Sequence, residues 1–164
     1  MTATVRLARR EDGPELYHAW QALRQHYAAT DPRIVPTPVS EGEFVAGLRE
    51  MFARQTSVTF VAEDGGQLVG FISGGIEPNQ PDRLPELHAT VGYIYVEPEY
   101  RRTGLGRQLF QAVADWANRQ EGISHFEMAV LASDDQAAAF WRTIGFSPFI
   151  QRLWAPLGDA GDEP

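Results

Sequence analysis

The chain has 164 residues, 43% of them hydrophobic, which suits one globular domain with a buried core. Its 14 basic and 22 acidic residues give a formal net charge of −8, opposite in sign to the charge expected of a nucleic-acid-binding protein. The sequence contains no cysteine, which excludes disulfides, thiolate metal ligands and a covalent cysteine intermediate.

Hydropathy and the two ends of the sequence bear on location and domain organisation. No run of apolar residues approaches the roughly 20 that a membrane span requires, and the N-terminus lacks the apolar stretch of a signal peptide. We therefore expect a cytoplasmic protein that binds neither a membrane nor a nucleic acid. A single domain is expected over residues 1–157, followed by a disordered acidic tail at 158–164. The acidity either attracts a cationic partner or only aids solubility.

The first third of the chain predicts a strand and two helices. Apolar residues alternate over 2–8 as in a strand, and Asp12 can then cap a helix with Pro14 in its first turn. The segment Asp31–Pro38 contains three prolines and is predicted to be an extended loop. Ser40-Glu-Gly-Glu43 matches a capping box, which predicts the start of the second helix.

Three strands are predicted next. The apolar runs 58–62 and 68–76 flank Glu63-Asp-Gly-Gly-Gln67, and Asp-Gly between two such runs is a strong hairpin signal. Prolines in the segment 77–87 interrupt the sheet and predict a second long loop. The β-branched and aromatic residues of His88–Val96 then predict the central strand.

The C-terminal part alternates between helix and strand signals. Apolar residues at helical spacing mark two helices, and a run suited to a strand follows each of them. In chain order, the prediction is a helix from about Thr103 to Gly122, a strand at Ile123–Leu131, a helix capped by Asp134 or Asp135 that ends at Gly145, and a strand around Phe149–Trp154.

A short basic glycine loop, Arg101-Arg-Thr-Gly-Leu-Gly-Arg107, joins the central strand to the next helix. The first N–H groups of a helix are unpaired and carry the positive end of its dipole, so this loop can bind an anion. Its glycines admit a ligand close to the backbone, and its three arginines suit phosphate oxygens. Position 109 lacks the glycine of a dinucleotide fingerprint, and Gly106-Arg-Gln lacks the Lys-Ser/Thr of a Walker loop. A solvated turn with surface arginines is the alternative.

Two motifs carry a resemblance to a known family. Arg101-Arg-Thr-Gly-Leu-Gly106 matches the pattern Gln/Arg-x-x-Gly-x-Gly/Ala, and Asp134–Phe146 is similar to Asn-x-x-Ala-x-x-Phe-Tyr-x-x-x-Gly-Phe. By both motifs, and by their order and spacing, the sequence resembles the GNAT superfamily of N-acetyltransferases. The resemblance covers nearly the whole chain. Asp134 stands where that family usually has Asn, and Trp141 stands where it usually has Tyr.

The resemblance implies both a fold and an activity. The implied fold is α/β (α+β), with a mixed, mostly antiparallel central sheet, two splayed parallel strands and about four flanking helices. The implied activity is acetyl-CoA-dependent N-acetylation by direct attack of a primary amine, belonging to a small molecule or a protein, in a slot between the splayed strands His88–Val96 and Ile123–Leu131. The implied cofactor-binding residues are Tyr95, Val96, Arg101, Arg102, Thr103, Gly104, Leu105, Gly106, Arg107, Asp134, Phe140 and Trp141.

Acetyl transfer to an amine needs a group that takes a proton and a donor that steadies the developing oxyanion. The strand backbone can supply the donor. For the proton the sequence offers Glu86, His88 and Glu127, with the Tyr93 hydroxyl as a holder of water, although each is also explained as an ordinary strand-end or surface residue. The indole N–H of Trp141 can donate a hydrogen bond, but it is not an acid that could protonate the departing CoA thiolate. A thiol has a reference pKa of about 8.5, so its thiolate leaves with little assistance.

Two questions stay open at the level of sequence. A regulatory module that binds acyl-CoA without turnover would keep the same phosphate loop, and a homodimer is compatible with the sequence. No metal is expected, because no cluster of His, Asp and Glu has ligand spacing.

Overall fold

The computed structural model describes residues 2–158, so Met1 and residues 159–164, which hold nearly all of the predicted tail, lie outside the described residues. Four helices and four strands form the fold. In chain order they are β1 (Thr4–Leu7), α1 (Gly13–Thr30), α2 (Glu41–Ala53), β2 (Ser57–Asp64), β3 (Gln67–Pro78), β4 (Leu87–Val96), α3 (Leu105–Ala117) and α4 (Asp135–Ile144).

The strands form one antiparallel sheet in the order β1-β2-β3-β4. Helices α1 and α2 cover one face, where Leu16 and Leu48 pack against Phe71 of β3. Helices α3 and α4 cover the other face, where Leu109 and Trp141 belong to a second core cluster. The sheet is therefore covered on both faces, and the expected mixed fold with four flanking helices is confirmed.

Local signals explain where several elements begin. The Ser40 hydroxyl accepts from the Glu43 N–H while the Glu43 carboxylate accepts from the Ser40 N–H, which confirms the capping box of α2. Between β2 and β3, Gly65 and Gly66 have φ angles of 58° and 84°, as a tight hairpin turn requires. Asp12 does not cap α1, because its carboxylate accepts from the Arg6 guanidinium at 2.8 Å and thereby ties β1 to the start of α1.

A bulge bends β4 in its middle. Tyr93 lies opposite Ser73 and Val91 lies opposite Gly74, so Gly92 is an extra residue in β4. The Tyr93 N–H donates to the Ser73 hydroxyl at 2.9 Å in place of a backbone carbonyl. Because the extra residue reverses the alternation, Val91 and Ile94 both face the α3 side of the sheet.

Two predicted strands differ from the structure. The segment Ile123–Leu131 makes a single parallel bridge to β4, at Ala89 and Phe126, and is otherwise irregular. Phe149–Trp154 is irregular and exposed, and it pairs with no strand among the described residues. The prediction of regular strands there is wrong, although the parallel direction at Ala89 is as expected.

The bounds of α3 also differ from the prediction. Gly104 has a φ of 89°, which delays the helix start from Thr103 to Leu105. The helix ends at Ala117, and a turn leads to Gly122, whose φ is 76°.

The close approach of α3 to the sheet predicts that position 74 requires glycine. A Cβ atom at Gly74 would lie 2.5 Å from Cγ1 of Val113 in α3, whereas a Cβ atom at the adjacent Gly75 would meet only ordinary contacts at 3.5 Å. We expect Gly74→Ala to lower the free energy of unfolding, measured in urea, by about 1–3 kcal/mol through overpacking. Val113→Ala should lower the free energy of unfolding less in the Gly74→Ala variant than in the wild type, because it relieves the clash. Equal stability of Gly74→Ala and the control Gly75→Ala would contradict this packing.

Candidate active site

Over the second half of β4, the backbone groups on its outer edge pair with no strand among residues 2–158. The Glu97 N–H donates to the Val69 carbonyl of β3 at 2.9 Å. Since alternate residues of an antiparallel strand direct their backbone groups to opposite sides, Ile94 and Val96 direct theirs away from β3. On that outer side, Nε of Arg101 donates to the Val96 carbonyl at 2.9 Å.

The segment 123–131 forms the opposite wall and touches β4 only at one end. The Ala89 N–H donates to the His125 carbonyl at 3.0 Å, and the Glu127 N–H donates to the Ala89 carbonyl at 2.9 Å. Beyond Glu127, no backbone hydrogen bond joins the two chains within residues 2–158. The unpaired edge that follows along β4, named here the β4 slot, begins at Ala89 and runs toward the basic loop. This is the splayed arrangement expected from the sequence.

The backbone groups facing the slot correct one predicted contact. Tyr95 pairs with Phe71 of β3, so its backbone faces away from the slot. Its ring is buried, and its hydroxyl donates to Glu97 at 3.1 Å. Val96 keeps its predicted place beside the slot, and Ile94 replaces Tyr95 there.

The basic loop lies at the open end of the slot, where α3 begins. Gly104 caps α3 in the left-handed conformation without a side-chain cap, which leaves the first N–H groups of the helix directed into the loop. Open space surrounds the position that a Cβ atom of Gly104 would occupy. A Cβ atom at Gly106 would lie 3.1 Å from the Phe140 ring, so this glycine lets α4 pack against the first turn of α3. The backbone here can bind an anion.

The side chains of this loop differ in their roles. Leu105 is buried in the core, and the Thr103 hydroxyl donates to the Tyr100 carbonyl at 2.6 Å. Nη2 of Arg107 donates to the Thr143 carbonyl at 2.7 Å and joins α3 to the end of α4. These contacts help to hold the loop together. Arg101, Arg102 and Arg107 are exposed at the loop surface, and their contacts with phosphate stay predictions.

Trp141 lies in the core rather than along the slot. Its side chain is 4% exposed and packs edge-to-face against Phe110, Phe140 and Phe146, with ring centroids 4.9–5.7 Å apart. The expectation that it contacts the cofactor is corrected by this burial. In the sequence, the aromatic residues Phe110 and Phe146 were the signal that Trp141 packs in the core.

Asp134 joins two helices that are distant in sequence. One carboxylate oxygen accepts from the Ala137 N–H at 2.9 Å and caps α4, as predicted. The other lies 2.7 Å from Nε2 of His26 in α1, a residue that the sequence did not single out for this role. Burial raises the pKa of Asp134, but the hydrogen bonds from Ala137 and His26 together lower it below its usual range.

The closed end of the slot brings together two of the three predicted catalytic residues. His88 is buried and stacks on His125, with ring centroids 5.9 Å apart. Nε2 of His125 lies 3.0 Å from Oε1 of Glu127. This hydrogen bond, aided by the positive potential of both histidines and of Arg83, holds the pKa of Glu127 below its usual range against the effect of burial.

Sequence reasoning missed His125, although its spacing from Glu127 carried the signal. Residues two apart in an extended segment lie on one face. The Nδ1 atom of His88 is buried without a hydrogen-bond partner among residues 2–158. This polar cluster therefore still has capacity to accept or donate a proton.

Tyr93, the third predicted catalytic residue, lies further along β4 on the face covered by α1 and α2. Its side chain is half-exposed, and its hydroxyl lies near Tyr27 of α1. Burial, together with Tyr93 and Asp134, raises the pKa of Tyr27 to about 12. Tyr93 thus stands between the slot and the space under α1 and α2.

Two findings concern only residues 2–158. That range holds no group of three or more His, Asp or Glu side chains able to bind a metal ion. None of the helices in it has the length and apolar character needed to cross a membrane.

Comparison with known proteins supplies a family and a fold. The model of the acetyltransferase (GNAT) family matches residues 20–146. N-alpha-acetyltransferase RimI of Mycobacterium tuberculosis is 35% identical over 85 residues, covering 52% of this chain and 49% of that protein. The Escherichia coli [ribosomal protein bS18]-alanine N-acetyltransferase is 33% identical over 76 residues, covering 46% and 51%. The chain thus spans about half the length of the curated relatives it matches.

A solved structure extends the likeness over the whole fold. The aminoglycoside N-acetyltransferase AAC(6')-Iy, solved in complex with CoA, superposes with a TM-score of 0.73 at 17% identity, covering 94% of each chain.

The His26–Asp134 contact predicts a pH-dependent stability. Because the pKa of folded Asp134 is lowered, its stabilising effect is complete above the unfolded pKa of about 3.9 and is lost as pH falls further. Asn caps a helix as well as Asp, so Asp134→Asn removes the charge alone. We expect it to lower the free energy of unfolding by about 1 kcal/mol at pH 6 and by much less near pH 2, measured by urea denaturation.

Glu121→Gln, at an exposed position outside the helices, is the control and should leave the difference from wild type constant with pH. A pH-independent effect of Asp134→Asn would mean that its charge does not join α1 to α4.

Proposed function

The chain belongs to the acetyltransferase (GNAT) family, and from that membership we propose that it is an acetyl-CoA-dependent N-acetyltransferase acting on a primary amine. The observation that carries the proposal is the β4 slot, which runs from an anion-binding loop at one end to a polar cluster at the other. The names of the relatives favour an enzyme over a module that binds acyl-CoA without turnover.

The residues around the slot fit an acyl-CoA thioester. The N–H groups at the start of α3 and the exposed Arg101 and Arg102 suit the pyrophosphate. The outward backbone groups of Ile94 and Val96 suit the amides of the pantetheine arm. With the pyrophosphate at the open end, the arm extends back along β4, and its thioester comes to lie near the closed end at Ala89.

The closed end supplies the proton acceptor that the reaction needs. The nitrogen of a neutral amine forms a bond to the acetyl carbon while the carbon–sulfur bond breaks and CoA leaves as a thiolate. The amine arrives as an ammonium ion, and His125 accepts the proton whose loss makes the nitrogen neutral. The second proton, which the nitrogen still carries after the attack, leaves with the CoA thiolate. Glu127, kept ionised by its low pKa, acts as a positioning residue that orients the imidazole and stabilises its charged form. His88 packs behind His125 and supports its ring.

Two further groups complete the proposed chemistry. The bulge at Gly92 turns the β4 backbone at the level where the thioester lies, so a strand N–H is the donor for the oxyanion. Tyr93 is the water-holding hydroxyl at the acceptor side. The cytoplasmic location, the homodimer and the absence of a metal stay predictions of the sequence.

The loop assignment predicts a specific loss of CoA binding. Gly104→Asp places a carboxylate at the pyrophosphate site, so CoA should raise the melting temperature of the wild type and not of this variant. Gly66→Asp in the β2–β3 turn is the matched control, because its φ of 84° and open surroundings are similar to those of Gly104. An equal rise in melting temperature with CoA in both variants would contradict the loop assignment.

The base assignment predicts a pH-dependent loss of turnover. We expect His125→Asn to lower kcat by about 10²-fold or more at neutral pH without changing the Kd of CoA, and Glu127→Gln to lower it by about 10-fold. Both deficits should shrink as pH approaches the pKa of the acceptor amine, which then arrives neutral. Glu121→Gln, at an exposed position, should leave kcat unchanged.

Steady-state rates between about pH 7 and pH 10, followed as thiol release, measure these effects. A deficit that is the same at every pH, or normal turnover in His125→Asn, would contradict the assignment.

A further inference from the structure

A cavity of about 280 Å³ opens between α1, α2 and the sheet, next to the β4 slot. Its walls are mostly apolar. The rings of Trp20 and Phe44, with centroids 4.8 Å apart, form one side, and Met51 contributes to the wall from α2. Tyr93 lines the cavity and also belongs to the strand that borders the slot, so the two spaces meet at this residue.

Three residues with hydroxyl groups line the cavity, and one of these hydroxyls is closed off from it. The Thr59 side chain is buried, with the residue only 3% exposed, and its Oγ1 atom makes no hydrogen bond within residues 2–158. The Ser73 hydroxyl accepts from the Tyr93 N–H, which leaves its proton free to donate. Because the Thr59 oxygen is closed off from the cavity, the polar groups that remain in the lining are the hydroxyls of Ser73 and Tyr93.

The lining decides which chemical class the cavity can hold. Among the described residues, no charged side chain lines it, so a second positive charge on the acceptor would be buried there without a partner. A cavity of about 150 Å³ lined by apolar side chains can hold a benzene ring. The larger space here admits an aromatic ring that carries a hydroxyl and a short link to an amine.

We infer that this cavity receives the aromatic body of the acceptor, a primary amine two carbons from a ring of phenyl size. The inference rests on the proposed function, because the amine must reach the slot past Tyr93. The same chemistry occurs in a free arylethylamine and in a peptide with N-terminal Phe or Tyr. The net charge of −8 would then serve solubility rather than selection of a polycation.

Gly47 provides the test of the cavity. It lines the cavity from α2, and a Cβ atom there would meet nothing within 4 Å. Gly47→Leu fills the space and also favours the helix, so the fold should be preserved. We expect it to lower kcat/KM for phenethylamine by about 10-fold or more, through KM, and to leave ethylamine unaffected. Gly42→Leu, in the same helix and outside the cavity lining, is the matched control.

The substrate panel separates this inference from the activity itself. Phenethylamine, tyramine, ethylamine, cadaverine and short peptides with N-terminal Tyr or Ser are compared as acceptors. The comparison of tyramine with the peptide that has an N-terminal Tyr distinguishes a free amine from a peptide as the acceptor. Ethylamine or cadaverine turned over as well as phenethylamine would overturn the inference and leave the N-acetyltransferase proposal intact.

A binding measurement without turnover completes the test. 2-Phenylethanol, which has no amine, should raise the melting temperature of the wild type and of Gly42→Leu but not of Gly47→Leu. If this pattern appears while no amine is acetylated, the cavity holds an aromatic ring and the proposed activity fails. If 2-phenylethanol stabilises none of the three proteins, the cavity assignment fails.

Discussion

A single point of pairing between β4 and the segment 123–131 is the constraint on which the rest of the structure depends. The bonds that join Ala89 to His125 and Glu127 hold the two chains together at one end. Past them, the backbone groups of Ile94 and Val96 have no strand partner, although such groups are strongly driven to pair. A ligand with amides along its length can pair with such an edge, as an added strand would.

The remaining elements place chemistry at the two ends of that edge. The left-handed Gly104 starts α3 at the open end, and the His88–His125–Glu127 cluster stands at the closed end. On the acceptor side, the His26–Asp134 contact joins α1 to α4 across 108 positions of sequence. It fixes the helix that forms a wall of the apolar cavity. Under the proposed function, this open strand edge has separate places for the pyrophosphate, the thioester and the acceptor amine.

Sequence reasoning succeeded where the determining interactions are local. The capping box at Ser40, the Asp64-Gly turn, the cap at Asp134 and the basic loop each depend on neighbouring residues, and the first three took the predicted form. The segments 123–131 and 149–154 have the composition of strands, but a strand also needs a partner edge, and composition does not report that. Trp141 was interpreted by its place in a motif, whereas its aromatic neighbours decide that it packs in the core. The His26–Asp134 contact and the cavity under α2 arise from tertiary packing.

Amide hydrogen exchange followed by NMR, with and without CoA, tests whether the β4 edge binds the pantetheine arm. We expect CoA to slow exchange of the Ile94 and Val96 amides, which face the slot. Exchange of the Glu97 amide, already bonded to Val69, should change little by comparison. Saturating CoA that leaves the Ile94 and Val96 amides exchanging as fast as before would contradict the assignment of the β4 edge as the site of the pantetheine arm.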